Sequence, residues 1–170
     1  MKHTIVVLAT AFAVTVPGAA AQAPQRTTAT YDDWTVRCED QAGPPPRKQC
    51  EIVQSTQVSG QQQPVTQIAI GRPAKGAPLK MVLLVPIGSW LPDGVKLTSA
   101  DREPLVTAAF KRCLPSACLA DLDLSDELAR KLRTFKDNGK LEFKDGGQHD
   151  VNVPVSFKGF GPALDALPKE

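Results

Sequence analysis

Apolar and polar positions alternate along most of the chain, and the alternation predicts strands. Trp34, Val36 and Cys38 fall on one side of an extended run while Asp33, Thr35 and Arg37 fall on the other, the period of two that marks a half-buried strand. Cys50 and Ile52 continue an inward face. With Cys38 opposite Cys50 in an antiparallel pair, Val36 meets Ile52 and a bridge would seal one end of an apolar ladder. Ile68 and Ile70 predict a third strand after the polar Gln61-Gln62-Gln63 loop. The stretch Leu79 to Val85 is nearly all apolar, which predicts a central strand covered on both faces and ended by Pro86-Ile87-Gly88. A loop from Pro86 to Gly94 leads to Val95 and Leu97. Val106, Ala108 and Phe110 predict one strand running into Cys113, with a short return strand from Cys118.

One stretch breaks this rhythm. Ser125 suits a helix N-cap, Asp126 and Glu127 suit the positive start of the helix dipole, and Lys131 and Arg133 suit its end. Leu128 and Leu132 share a face of that helix. Asn138-Gly139 and Asp145-Gly146-Gly147 bracket a strand at Leu141 and Phe143, and Val151, Val153, Val155 and Phe157 form the last alternating set. Pro154 lies on the opposite phase of that last strand. Proline cannot donate to a ladder, so the strand is expected at a sheet edge or with that side turned from a neighbour. Phe160, Leu164 and Leu167 have the spacing of a short amphipathic lid. About eight short strands with one or two small helices predict an all-β fold, a two-sheet antiparallel sandwich.

The N-terminus reads differently from the rest. Lys2 and His3 precede a 13-residue apolar run, Thr4 to Val16, followed by Pro17, Gly18 and Ala19-Ala20-Ala21, the features of an export signal. Such a run spans only about 20 Å as a helix, short of the ~30 Å hydrocarbon core, so a cleaved leader is expected and not an anchor. Cleavage is placed after Ala21, because Pro24 would hinder a cut after Ala23. The predicted organisation is a signal peptide over residues 1–21, a flexible segment over 22–30 and a single sandwich domain over 31–167. No cysteine follows the apolar run to carry a lipid. The expected location is periplasmic or secreted, with no transmembrane segment in the mature chain.

Export into an oxidising compartment changes how cysteines are read. The chain holds four, Cys38, Cys50, Cys113 and Cys118, which permit three pairings. Leu114-Pro115-Ser116-Ala117 places proline in the second position of a turn, bringing Cys113 opposite Cys118. Cys38 and Cys50 flank the polar connection containing Pro44-Pro45-Pro46. Proximity therefore favours Cys38–Cys50 and Cys113–Cys118. The spacing of a zinc knuckle is absent, and His149 is the one histidine of the mature chain. A thioredoxin-type motif needs two residues between its cysteines, whereas Leu114 to Ala117 intervene here.

Composition narrows the function classes. Lys and Arg number 20 against 18 Asp and Glu, a net charge of +2, too balanced for nucleic-acid binding by phosphate neutralisation. Hydrophobic residues at 42% and charged residues at 22% match a soluble globular domain,. Catalytic signatures are weak. Gly88-Ser89-Trp90 lacks the second glycine of a nucleophile elbow. Asp121-Leu122-Asp123 begins like a calcium loop but meets Asp126 where glycine is needed and Leu132 where glutamate is needed. An enzyme would have to use a carboxylate site at Asp121 and Asp123, or one centred on His149 and Asp150. The expectation is a non-enzymatic protein with no cofactor and no metal. Carriage of a small ligand between the sheets is a further alternative, with Tyr31, Trp34 and Trp90 as the available Tyr and Trp side chains. The loop carrying Ile87, Trp90 and Leu91 between Pro86 and Pro92 is a candidate partner-binding tip, set against a simpler role as an apolar plug.

Several of these elements together resemble the invasion-associated locus B family of exported bacterial proteins. They are Asp33-Trp34-Thr35-Val36-Arg37-Cys38, the segment from Pro86-Ile87-Gly88 to Leu91-Pro92-Asp93-Gly94-Val95, the Cys113 and Cys118 pair, and Pro154-Val155-Ser156-Phe157-Lys158-Gly159-Phe160. The resemblance spans Tyr31 to Leu167. Asp33 and Ala117 stand where glycines are expected, changes that bear on turn geometry. The resemblance implies an immunoglobulin-like sandwich in the periplasm or at the cell envelope, in a family named for a link to host-cell invasion. It carries over no catalytic residue. The resulting expectation is an envelope protein that binds another protein or an envelope component.

Overall fold

The computed structural model describes residues 25–57, 65–101 and 103–168. The signal peptide read over 1–21 and the Gln61-Gln62-Gln63 loop lie outside the described residues. In chain order the elements are β1 (Arg26–Tyr31), β2 (Trp34–Gln41), β3 (Arg47–Thr56), β4 (Thr66–Gly71), β5 (Lys80–Val85), β6 (Val95–Thr98) and β7 (Pro104–Ala108). They continue with β8 (Phe110–Cys113), β9 (Cys118–Asp123), α1 (Asp126–Thr134), β10 (Gly139–Lys144), β11 (Asp150–Val155) and α2 (Phe160–Asp165). A seven-stranded sheet runs β1-β2-β3-β4-β5-β9-β8 and a four-stranded sheet runs β11-β10-β6-β7. Every pairing is antiparallel. This is the expected all-β two-sheet sandwich with two short helices, although its larger layer is wider than either sheet of an immunoglobulin domain.

The predicted register holds at its most specific point. Cys38 pairs with Cys50 and Val36 with Ile52 across β2 and β3. Disulfides join Cys38 to Cys50 and Cys113 to Cys118, and no cysteine is left free. The inward faces of both layers supply one core that includes Ile52, Ile70, Leu83, Leu97 and Leu141, each at most 1% exposed. Burial of this apolar surface is the main drive for closing the layers. The helices behave as the caps and charges predict: Ser125 accepts from the Leu128 amide at the start of α1, and Ala129 and Leu132 turn inward. Phe160, Ala163 and Leu164 of α2 are buried.

One residue ties the layers at a seam. The Ser156 carbonyl, just beyond β11, accepts from the Trp34 indole N–H at 2.9 Å and from Gln54 Nε2 at 2.8 Å. Its amide donates to Gln54 Oε1 at 2.9 Å, and its hydroxyl lies 2.6 Å from Asp33 Oδ2. Pro154 sits on β11, an edge strand, as its missing donor requires,.

Three expectations change. Residues 26–30 of the segment read as flexible over 22–30 lie in β1, which pairs in full register with β2 from Arg26 opposite Glu39 to Tyr31 opposite Trp34. Its Thr-rich run supplies backbone pairing and β-branched residues without an apolar face. The strand from Leu79 to Val85 is central but not buried on both sides: Met81, Leu83 and Val85 are buried while Val82 and Leu84 are half-buried. The single strand expected from Val106 to Cys113 is two, because the chain leaves the smaller sheet after Ala108 and joins the larger one at Phe110. Such a corner lets one segment serve both layers.

Candidate functional site

Val85 pairs with Cys118, so the loop after β5 and the disulfide turn between β8 and β9 leave the larger sheet at the same end. The β10–β11 turn joins them there through a bridge between Ser89 and Asp145. This end carries the large hydrophobic side chains that stay in solvent among the described residues: Ile87 at 58% exposure, Leu91 at 45% and Leu114 at 44%. Isolated exposed leucines mean little, but three gathered on adjacent turns form an apolar tip.

The supporting loops are held by many short-range bonds. Ser89 Oγ donates to the Pro86 carbonyl at 2.8 Å, and the Trp90 amide donates to the Lys144 carbonyl at 2.8 Å. The Gly94 amide closes the loop on the Leu91 carbonyl at 3.2 Å. Gly88 and Gly94 take φ of 84° and 69°, a region that glycine enters without strain. Gly94 also lies so near Ala108 that a Cβ would strike its carbonyl oxygen. Across the turn, the Leu114 amide donates to the Ala117 carbonyl at 2.8 Å, and the Cys113–Cys118 bridge spans the same turn.

Trp90 is the least accessible of the three loop residues singled out in the sequence. It is half-buried, and its backbone is fixed to β10 through the Lys144 carbonyl. Lys144 Nζ sits 3.0 Å from Asp93 Oδ2. The ammonium of Lys144 is the main cause that holds the Asp93 carboxyl below its ordinary range, and Asp93 in turn raises Lys144. Trp90 therefore supports the tip from behind, while Ile87 and Leu91 present it. Leu114 escaped the sequence reading because one apolar residue in a turn has no periodic neighbour.

Next to this end, the outer face of β6, β10 and β11 forms a shallow cleft of about 390 Å³. Its charges nearly cancel: Lys96, Lys140 and Lys144 are interleaved with Asp93, Glu142 and Asp150.

The groups considered for catalysis are not assembled. Asp121 and Asp123 both pair with Lys80, at 3.3 and 3.0 Å. Their hydrogen bonds, that of Asp123 foremost, raise the Lys80 ammonium above its ordinary value. His149 stands in the other layer, with its side chain 81% exposed and Nδ1 3.1 Å from Asp145 Oδ2. The His149 amide is the leading cause that lowers the Asp145 carboxyl, followed by the imidazole. This is the chemistry of a tight turn: Asp145 Oδ1 also accepts from the Gly147 amide at 2.8 Å,. Among the described residues no group of three or more His, Cys, Asp and Glu could hold a metal ion. No described helix is long and apolar enough to cross a membrane.

Fold and site together define a disulfide-bridged β-sandwich with an apolar loop tip. The model of the family described as invasion associated locus B (IalB) protein matches residues 34–168. The chain belongs to the invasion associated locus B family. Invasion protein B homologs of Brucella abortus, one from strain 2308 and one from biovar 1 strain 9-941, are each 31% identical over 158 residues, covering 92% of this chain and 86% of theirs. The crystal structure of invasion associated protein b from Bartonella henselae superposes with a TM-score of 0.67 at 23% identity, over 82% of this chain and 92% of that one. At that identity the structural match establishes the shared sandwich.

Proposed function

We propose that the protein is exported and works without catalysis in the bacterial envelope, binding a partner protein or envelope component through its apolar tip. One observation carries this reading: Ile87, Leu91 and Leu114 are the exposed large hydrophobics among the described residues, and all three sit on braced turns at one end of the fold. Rigid presentation matters because a preorganised tip loses little freedom on binding. Both disulfides support an oxidising destination, and the leader over 1–21 would deliver a mature chain starting at Gln22. The Brucella and Bartonella proteins carry invasion in their names, which is in keeping with contact work at a cell surface.

Photo-crosslinking in the native cell tests the tip. A crosslinker at position 87, 91 or 114 is expected to capture a discrete partner, whereas one at exposed Lys136, near the start of β10, is not. The triple variant Ile87→Ser, Leu91→Ser, Leu114→Ser is expected to lose that capture while keeping its fold. Undiminished capture by the triple variant refutes the assignment.

A further inference from the structure

Far from the apolar tip, at the end of the larger sheet where β3 begins and β4 ends, a cleft of about 450 Å³ opens. Its walls come from the connection into β3, the connection between β4 and β5, and the chain after α2. Arg47, Lys48, Arg72 and Lys75 line it, and among the described residues no Asp or Glu does. None of these four cations forms an ion pair among the described residues. Asp40 stands opposite Lys48 in the β2–β3 ladder but makes no ion pair with it. Asp126 and Asp165 line a separate hollow beyond Arg72, and Asp165 is engaged by Arg133 at 2.6 Å.

Arg72 is built in. It is half-buried, its carbonyl accepts from Gln49 Nε2, and its Nη1 donates to the Ala77 carbonyl at 2.9 Å. Those anchors hold the guanidinium while its other N–H groups remain available. Cys50 lines the same cleft, so the Cys38–Cys50 bridge braces the wall that carries Arg47 and Lys48. The lining also holds apolar residues, Pro45, Pro46, Leu167 and Pro168.

We propose that this cleft binds a phosphoryl group attached to an apolar body. Four positive charges with no counter-charge among the described lining residues favour a dianion, and a fixed guanidinium offers the forked donors that match phosphate oxygens. The proline and leucine wall would cover the apolar portion of the ligand. The assignment stands independently of the tip, since it uses none of the same residues.

Calorimetric titration of the mature, disulfide-bonded protein tests it with two probes: inorganic phosphate, and monomeric dihexanoyl phosphatidic acid. Saturable binding of both is expected, with phosphatidic acid at least tenfold tighter. Arg72→Gln is expected to weaken both at least tenfold. Because Arg72→Gln also loses the bond to Ala77, exposed Lys75→Gln serves as the variant that leaves the fold intact, with an expected loss of about threefold. Lys136→Gln, which removes the same charge elsewhere, should change nothing. Equal affinity for the two probes overturns the apolar half of the assignment. Failure of either probe to saturate, or equal behaviour of the Lys75 and Lys136 variants, overturns the site.

Discussion

Trp34 and Phe160 meet edge to face, with ring centroids 5.2 Å apart and planes at 75°. The first residue of β2 thus locks α2 onto the larger sheet, and its indole N–H reaches the Ser156 carbonyl at 2.9 Å. Aromatic pairs in this geometry contribute beyond the area they bury. Truncating Trp34 to alanine should cost about 3 to 5 kcal/mol in chemical denaturation. Trp34→Phe keeps most of the volume and removes one of two donors to Ser156, so the bond itself should account for about 1 kcal/mol.

The two disulfides should contribute unequally. The Cys38–Cys50 bridge closes a separation of 12 residues and Cys113–Cys118 one of 5. Chain-entropy arithmetic gives about 3 and about 2 kcal/mol respectively. Dithiothreitol is expected to lower the melting temperature, and the paired Cys38→Ser, Cys50→Ser variant should melt below the paired Cys113→Ser, Cys118→Ser variant in a calorimetric scan.

Gly159 takes φ of 82°, and a Cβ there would strike the Tyr31 carbonyl oxygen. Left-handed backbone alone costs a side chain about 1 to 2 kcal/mol, and the clash adds to it. Gly159→Ala should therefore destabilise by more than about 2 kcal/mol, whereas Gly76→Ala, with φ of 71° but open space around it, should show only the backbone cost. Urea midpoints of the two variants separate these causes.

Acid should expose the pair behind the tip. Asp93 has a carboxyl held below its ordinary value of 3.8, chiefly by Lys144. A lowered folded value means stabilisation that is fully present above the unfolded value and fades as pH falls through the folded one. Lys144 and Lys80 are raised above 10.5, so their share is present below that value and fades as pH rises through the folded ones. Melting temperature should plateau between these windows and decline on either side. Asp93→Asn should lie below wild type on the plateau and converge with it in strong acid.

The tip itself should be nearly silent in stability. Exposed apolar positions away from structural contacts usually change stability by no more than about 0.5 kcal/mol when substituted. Ile87→Ser, Leu91→Ser and Leu114→Ser should each keep the wild-type urea midpoint, which separates recognition from folding. Trp90→Ala should lower it, because that residue is half-buried.

Much of the layered architecture was legible because inward positions repeat every second residue. Val36 opposite Ile52, the cap at Ser125 and the edge position of Pro154 all followed from residue type and phase. What escaped the pattern has physical reasons. Strand β1 is exposed at every position but Tyr31, so it has no apolar phase to detect. The apolar rhythm of Val106, Ala108 and Phe110 continues unbroken through a corner, and periodicity cannot tell which sheet each residue faces. The Ile87 and Leu91 part of the tip could be argued from contiguous residues, whereas Leu114, on a separate turn, could not. The basic cleft could not, since Arg47, Lys48, Arg72 and Lys75 converge only when β3 and the β4–β5 connection come together with the chain end.

Strand β8 is four residues long and borders the larger sheet, with its outer backbone groups open to any extended chain that drifts past. Lys111 and Arg112 stand on it in solvent, and Cys113 is clipped to its neighbour. Short length, like charge and a covalent fastening are together what discourages a second copy from stacking on as an extra strand. Crowded molecules of this protein are thereby guarded against fibril growth at that border.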